Sequence, residues 1–169
     1  MEKIRVAGLV NDSITDGPGI RFTIFVQGCP HNCKGCHNPQ THDFYAGKLY
    51  DDEEIFAQIK NNPLLTGVTF SGGEPMCQAD KLLPLAKKIK ELGLELAIYS
   101  GFLYENLIQK NEYIKNLLKI ADVLIDGPFV ESLRDYSLKF KGSSNQRVID
   151  LKRSISSNEL VIITDDRWN

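Results

Sequence analysis

The chain has 169 residues, enough to bury a core without disulfides or a structural metal, and it is read as one domain over residues 1–169. Hydrophobic residues at 42%, charged residues at 25% and a net charge of -2 are an ordinary globular balance, with no electrostatic case for nucleic acid or an anionic membrane. The start, MEKIRVAGLVNDS, lacks the basic and apolar regions of a secretory signal, and no apolar run approaches the ~20 residues that span a bilayer, so the expected location is the cytoplasm.

Runs rich in β-branched residues predict strands at 4–10 and 22–27. The segment 52–60 reads as a helix, with acids in its first turn and Asp51 at the N-cap. A short buried strand is expected at 67–70, then a helix over about 79–92 that Gly93 ends. Pro84 lies inside that helix and is expected to kink it or delay its start. A strand at 95–99, a helical stretch over 104–120 broken near Asn111, and a strand at 122–126 follow. The tail offers two weaker strand candidates, 147–151 and 159–164. Strands alternating with helices predict a parallel α/β sheet. The chain is too short for a closed eight-fold barrel of ~250 residues, so an open, partial (β/α) barrel is expected.

The unusual loops all follow strands. One carries Cys29, Cys33 and Cys36; the next carries Ser71, Gly72, Gly73, Glu74 and Pro75; the others carry Ser100-Gly101 and Asp126-Gly127-Pro128. In parallel α/β proteins the C-terminal strand ends form the binding face, and these loops fall on that one face. In a reducing compartment, three cysteines within eight residues point to metal or catalysis rather than disulfides. The Cys-x3-Cys-x2-Cys spacing lets thiolates converge on one iron–sulfur centre, with glycines and prolines making the turns. Zinc held by the three cysteines with His37 or His31 is an alternative, and so are plain buried thiols.

The cysteine loop, followed by the Gly-Gly-Glu turn at 72–74, resembles the two motifs of the radical S-adenosylmethionine superfamily. Asp16-Gly17-Pro18-Gly19-Ile20-Arg21 and Cys36-His37-Asn38-Pro39 resemble the activases of glycyl radical enzymes. Gly35 before the third cysteine, the Asp126-Gly127-Pro128-Phe129 run and the polar run 142–147 are similar to the activase of anaerobic ribonucleoside-triphosphate reductase. The similarity covers roughly residues 10–150. Where the pyruvate formate-lyase activase has Asp-Leu-Lys, this chain has Asp126-Gly127-Pro128, so that lysine contact has no counterpart. With only Cys77 left over, a second four-cysteine cluster is not expected.

The resemblance implies one 4Fe–4S cluster whose three irons are held by Cys29, Cys33 and Cys36, the fourth being chelated by S-adenosylmethionine. Gly72 and Gly73 would let the backbone approach the methionine end, and Glu74 would offset its ammonium. Asn38 and the backbone around Gly35 and His37 would line the adenosine. Asp126 would accept from ribose hydroxyls, and Ser100 with Gly101 would meet the methionine carboxylate; each is equally readable as a turn or cap residue. Arg21 is read as positioning an anion or the partner, or as a surface ion pair, and Cys77 as a buried or half-buried thiol. His31 and His42 receive no role, and the ending 165–169 is read as frayed or touching a partner. The implied partners are the large component of the anaerobic reductase and reduced flavodoxin or a similar electron donor. Segment 129–147 is the candidate contact with the reductase, with a plain connector as its alternative. The competing functions are activation of another glycyl radical enzyme such as pyruvate formate-lyase, a radical enzyme with a small-molecule substrate, and a non-catalytic zinc or iron–sulfur module.

Overall fold

The computed structural model describes residues 3–169. In chain order its elements are β1 (Lys3–Ser13), β2 (Arg21–Val26), β3 (Lys48–Asp51), α1 (Asp52–Lys60), β4 (Gly67–Gly72), α2 (Ala79–Glu91), β5 (Glu95–Ser100), α3 (Tyr104–Leu107), α4 (Glu112–Ile120), β6 (Val123–Asp126), β7 (Arg147–Asp150) and α5 (Leu151–Ser157). The strands form one mixed sheet in the order β3-β1-β2-β4-β5-β6-β7. Strands β2, β4, β5 and β6 are parallel to one another. The flanking strands β1, β3 and β7 join antiparallel, so the all-parallel sheet expected from the sequence exists only at the centre. A parallel pair needs a crossover, and helices fill the β4–β5 and β5–β6 crossovers; β1–β2 and β6–β7 are joined by loops without an α-helix.

Alternation along the strands divides the sheet faces. Phe22, Ile24, Phe70, Leu96, Ile98 and Leu124 pack with Leu82, Leu85 and Ile89 of α2 and Leu117 of α4 in the main core. On the opposite face Ala97, Val123, Ile125 and Val148 form a smaller cluster with Trp168, joined by Tyr99, Phe140 and Ile163. The tail is therefore docked rather than frayed: Trp168 is 2% exposed and its ring packs edge-on against Phe140. Arg21 lies 5.5 Å from the Trp168 ring and is fully buried. It pairs with Glu95 at 2.9 Å and donates to Thr69 and to the carbonyls of Pro18 and Val68. Neither a free anion-binding role nor a surface ion pair survives; Arg21 is an internal strut whose pKa burial draws down against the opposing pull of Glu95.

Helix α1 lies where the sequence predicts it, although the Asp51 side chain makes no cap bond. The break near Asn111 is real, because Asn111 accepts from the Ile114 amide and starts α4 afresh. Pro84 sits inside a continuous α2. The sequence reading missed β3 and α5 and overestimated the last strand, which is a single bridge from Ile162 to Ile149. Helix α5 is short and serine-rich, and its start depends on Asp150 accepting from the Arg153 amide. Among the described residues no helix is long and apolar enough to cross a membrane.

Candidate cluster and cofactor site

The loops after β2, β4, β5 and β6 meet around one cavity of about 480 Å3. The first contributes Cys29, Cys33, Cys36, His37 and Asn38; the second Ser71, Gly72 and Gly73; the third Ser100 and Gly101; the fourth Gly127. Phe129 and residues 139–142 of the loop before β7 cover part of it, and Thr15 and Asp16 line it from the loop before β2.

The cysteine loop is anchored by its backbone. Gly28, at φ +105°, donates to the Thr41 carbonyl, Cys29 donates to the His42 carbonyl, and Gly28 in turn accepts from the Glu74 amide. A Cβ on Gly73 would stand 2.3 Å from the Gly28 carbonyl oxygen, so the Gly-Gly turn and the cysteine loop are built directly on each other. The three thiols are partly exposed and line the same cavity.

Among the described residues no three His, Cys, Asp or Glu side chains are gathered at a single-ion point. All three thiols line one cavity, and in a multi-iron centre each thiolate would take a different iron. Partial burial pushes the Cys29 thiol up, and the charges of Glu74, Cys33 and Cys36 push it further against a backbone hydrogen bond at His31. A bound cationic centre would reverse that balance, so the donor set fits a cluster.

Three of the expected contacts are placed differently. Glu74 is fully buried and does not line the cavity; its oxygens accept from His31, Ser100, Gly101 and Met76, leaving it as a link between loops rather than a partner for an ammonium. Asp126 is also fully buried, does not line the cavity, and accepts from the Tyr104 amide and the Arg147 guanidinium. Gly35 stands outside the lining, at φ +74°, with its carbonyl accepting from Arg134 and Glu131 packed over its Cα. Cys77 is exposed, not buried.

The 127–146 loop is a structured flap. Gln146 accepts from the Gly142 and Ser143 amides and donates to the Gly127 carbonyl, and Arg147 is held by Asp126 and Glu105. His31, given no role by the sequence, lines the cavity and bonds to Glu74. Its position between two cysteines was the only signal available.

Comparison with known proteins follows the same lines. The family described as 4Fe-4S single cluster domain matches residues 15–149. The chain is 35% identical to the anaerobic ribonucleoside-triphosphate reductase-activating protein of Haemophilus influenzae, over 79% of this chain and 89% of that one. It is 32% identical to the protein of that name from Escherichia coli K12, over 82% and 94% of the two chains. Identity to the pyruvate formate-lyase-activating enzyme of Clostridium pasteurianum is 36%, over 73% of this chain and 55% of that one. Among solved structures, QueE from Escherichia coli shares the fold at a TM-score of 0.51 and 15% identity, covering 73% of this chain and 71% of that one.

Proposed function

The chain belongs to the 4Fe-4S single cluster domain family and to the anaerobic ribonucleoside-triphosphate reductase-activating proteins within it, and from that premise we propose that it uses one 4Fe–4S cluster and S-adenosylmethionine to install a glycyl radical on anaerobic ribonucleoside-triphosphate reductase. The observation that carries the reading is the meeting of the three-thiol loop with the Gly72–Gly73 and Ser100–Gly101 turns around one cavity. The near full-length match to the reductase activators, against 55% of the pyruvate formate-lyase activator, favours the reductase as the target.

In this reading the sheet is an open, partial (β/α) barrel. Cys29, Cys33 and Cys36 hold the cluster, and the backbone of Gly72 and Gly73 with Ser100 meets the methionine end of the cofactor. His37 and Asn38 line the adenosine end. When bound, the cluster and S-adenosylmethionine supply one-electron reductive cleavage of the sulfonium and hence the radical that removes hydrogen from a glycine Cα. The chain's own part is geometry: fixed turns hold both halves of the cofactor, and the flap with Phe129 and Phe140 covers part of the cavity. The electron comes from a cytoplasmic low-potential donor such as reduced flavodoxin.

The test is anaerobic reconstitution with iron and sulfide, then reduction with S-adenosylmethionine present. Release of 5′-deoxyadenosine, and a glycyl signal by electron paramagnetic resonance once the reductase is added, are expected. Cys29→Ala, Cys33→Ala and Cys36→Ala should each abolish both. Cluster loading without cofactor cleavage would reduce the protein to a binding module.

A further inference from the structure

His31 lies in the cysteine loop, between Cys29 and Cys33, with its ring in contact with Glu74. Nε2 is 2.5 Å from Glu74 Oε1, and the same oxygen accepts from Ser100 Oγ at 3.0 Å and the Gly101 amide at 2.8 Å. The second oxygen accepts from the Met76 amide at 3.0 Å. His31 Nε2 therefore faces a carboxylate oxygen on which two further donors already converge. Glu74 is fully buried, where each donor offsets the cost of lost water. The other three donors, the Ser100 hydroxyl and the Gly101 and Met76 amides, lie at the end of β5 or just after Glu74 itself, so among the described residues His31 is the one tie from the cysteine loop to this carboxylate. The ring is fixed by its neighbours as well: it packs edge-on against Phe102 at 4.5 Å, and a Cβ on Gly101 would stand 2.6 Å from it.

We propose that His31 is a positioning residue that joins the cluster-holding loop to the methionine-reading turns. Through Glu74 it sets Ser100–Gly101 and, one residue before Glu74, Gly73; these groups line the cavity. The inference rests on the proposed use of S-adenosylmethionine at this cavity. The contact is sheltered from solvent, so its loss is felt as misplacement of the turns rather than as loss of a direct ligand contact. A purely structural histidine would affect cluster loading and cofactor binding alike.

Reconstituted His31→Ala and His31→Gln proteins separate the two cases. His31→Ala is expected to keep the iron and sulfide content of the unaltered chain and to bind S-adenosylmethionine at least about tenfold more weakly, with a smaller change in the reduced cluster's paramagnetic resonance signal on adding the cofactor. His31→Gln, whose amide can donate to Glu74, should recover most of the affinity. Unchanged affinity in His31→Ala, cluster loss matching Cys29→Ala, or no recovery in His31→Gln would overturn the proposal. Should the unaltered chain itself fail to bind S-adenosylmethionine, the functional reading fails, and the link is then judged in the iron-free protein. There, His31→Ala should speed hydrogen exchange at the Gly101 amide, and unchanged exchange would show that the tie holds nothing in place.

Discussion

Asp126 and Arg147 meet across the antiparallel β6–β7 pair as a two-pronged ion pair, Nε 3.0 Å from one carboxylate oxygen and Nη2 2.6 Å from the other. The same guanidinium holds Glu105 through two contacts of 2.8 Å, and Asp126 accepts from the Tyr104 amide at 2.7 Å. One buried carboxylate thus binds β6, β7 and the start of α3 together. The pairing raises the Arg147 pKa, chiefly through Asp126, and lowers that of Glu105.

Removing the cation leaves Asp126 charged and unpaired in the interior. Arg147→Ala should therefore lower the unfolding free energy by about 3 kcal/mol. Arg147→Lys should recover only part of this, because an ammonium cannot reproduce the planar fork. Denaturant midpoints at fixed slope measure both, and a loss below ~1 kcal/mol would show the pair to be marginal.

Gly73 makes a different kind of demand. The atoms a Cβ would strike are the Gly28 carbonyl oxygen at 2.3 Å and the Thr41 carbonyl oxygen at 3.0 Å, both backbone. No side chain can swing aside, so the cysteine loop itself must move. Gly73→Ala is expected to cost about 1–3 kcal/mol and to lower the iron content after reconstitution, not merely the cofactor affinity. Full iron content with normal stability would mean that the two loops separate more easily than their contact suggests.

Cys77 is exposed, and its surroundings disfavour the thiolate. Partial desolvation, with the charges of Glu74 and Cys29 nearby, pushes its thiol from 9.0 to about 11. A raised thiol pKa lowers the thiolate fraction at neutral pH, here by on the order of 100-fold against an unshifted cysteine. Alkylation of Cys77 in the iron-free Cys29→Ala, Cys33→Ala, Cys36→Ala triple variant, which keeps the desolvation and Glu74, should be slow at pH 7 and still climb above pH 9. A plateau near pH 9 would show that its surroundings leave it unshifted.

The parts of this architecture written in local chemistry were legible in the sequence. The cysteine spacing, the Gly-Gly turn and the strand-end placement of four loops gave the cavity its lining. The Asn111 break was legible because its cap bond spans only three residues. What escaped depends on partners far away in sequence. Asp126 looks available until Arg147 arrives from β7, and Glu74 looks like an ammonium partner until His31 and Gly101 take up its oxygen. Arg21 reads as a surface charge because nothing local reveals that Trp168 returns to cover it. The antiparallel edges were missed for the same reason, since alternation marks a strand but not the direction of its neighbour.

Gly35 connects the cysteine loop to the flap. It holds φ +74°, its carbonyl accepts from Arg134 at 2.9 Å, and a Cβ there would meet the Glu131 carboxylate at 2.8 Å. Arg134 also lies 5.1 Å from the Phe129 ring, which packs edge-on against His37 at 5.3 Å. The flap is therefore seated on the loop by contacts that a side chain at this position would have to displace. An aromatic residue at position 35 would both strain the backbone and occupy the volume that Glu131 and Arg134 now fill. Gly35→Tyr should release the flap: hydrogen exchange over 129–142 in the iron-free protein should rise well above that of the unaltered chain, while exchange in β4, buried on both sides by β2 and β5, stays the same. In the reconstituted protein the loosened cover should admit water and lower the yield of glycyl radical per cofactor cleaved. Unchanged flap exchange in Gly35→Tyr would mean that Gln146, through its bonds to Gly127, Gly142 and Ser143, holds the flap without help from the cysteine loop.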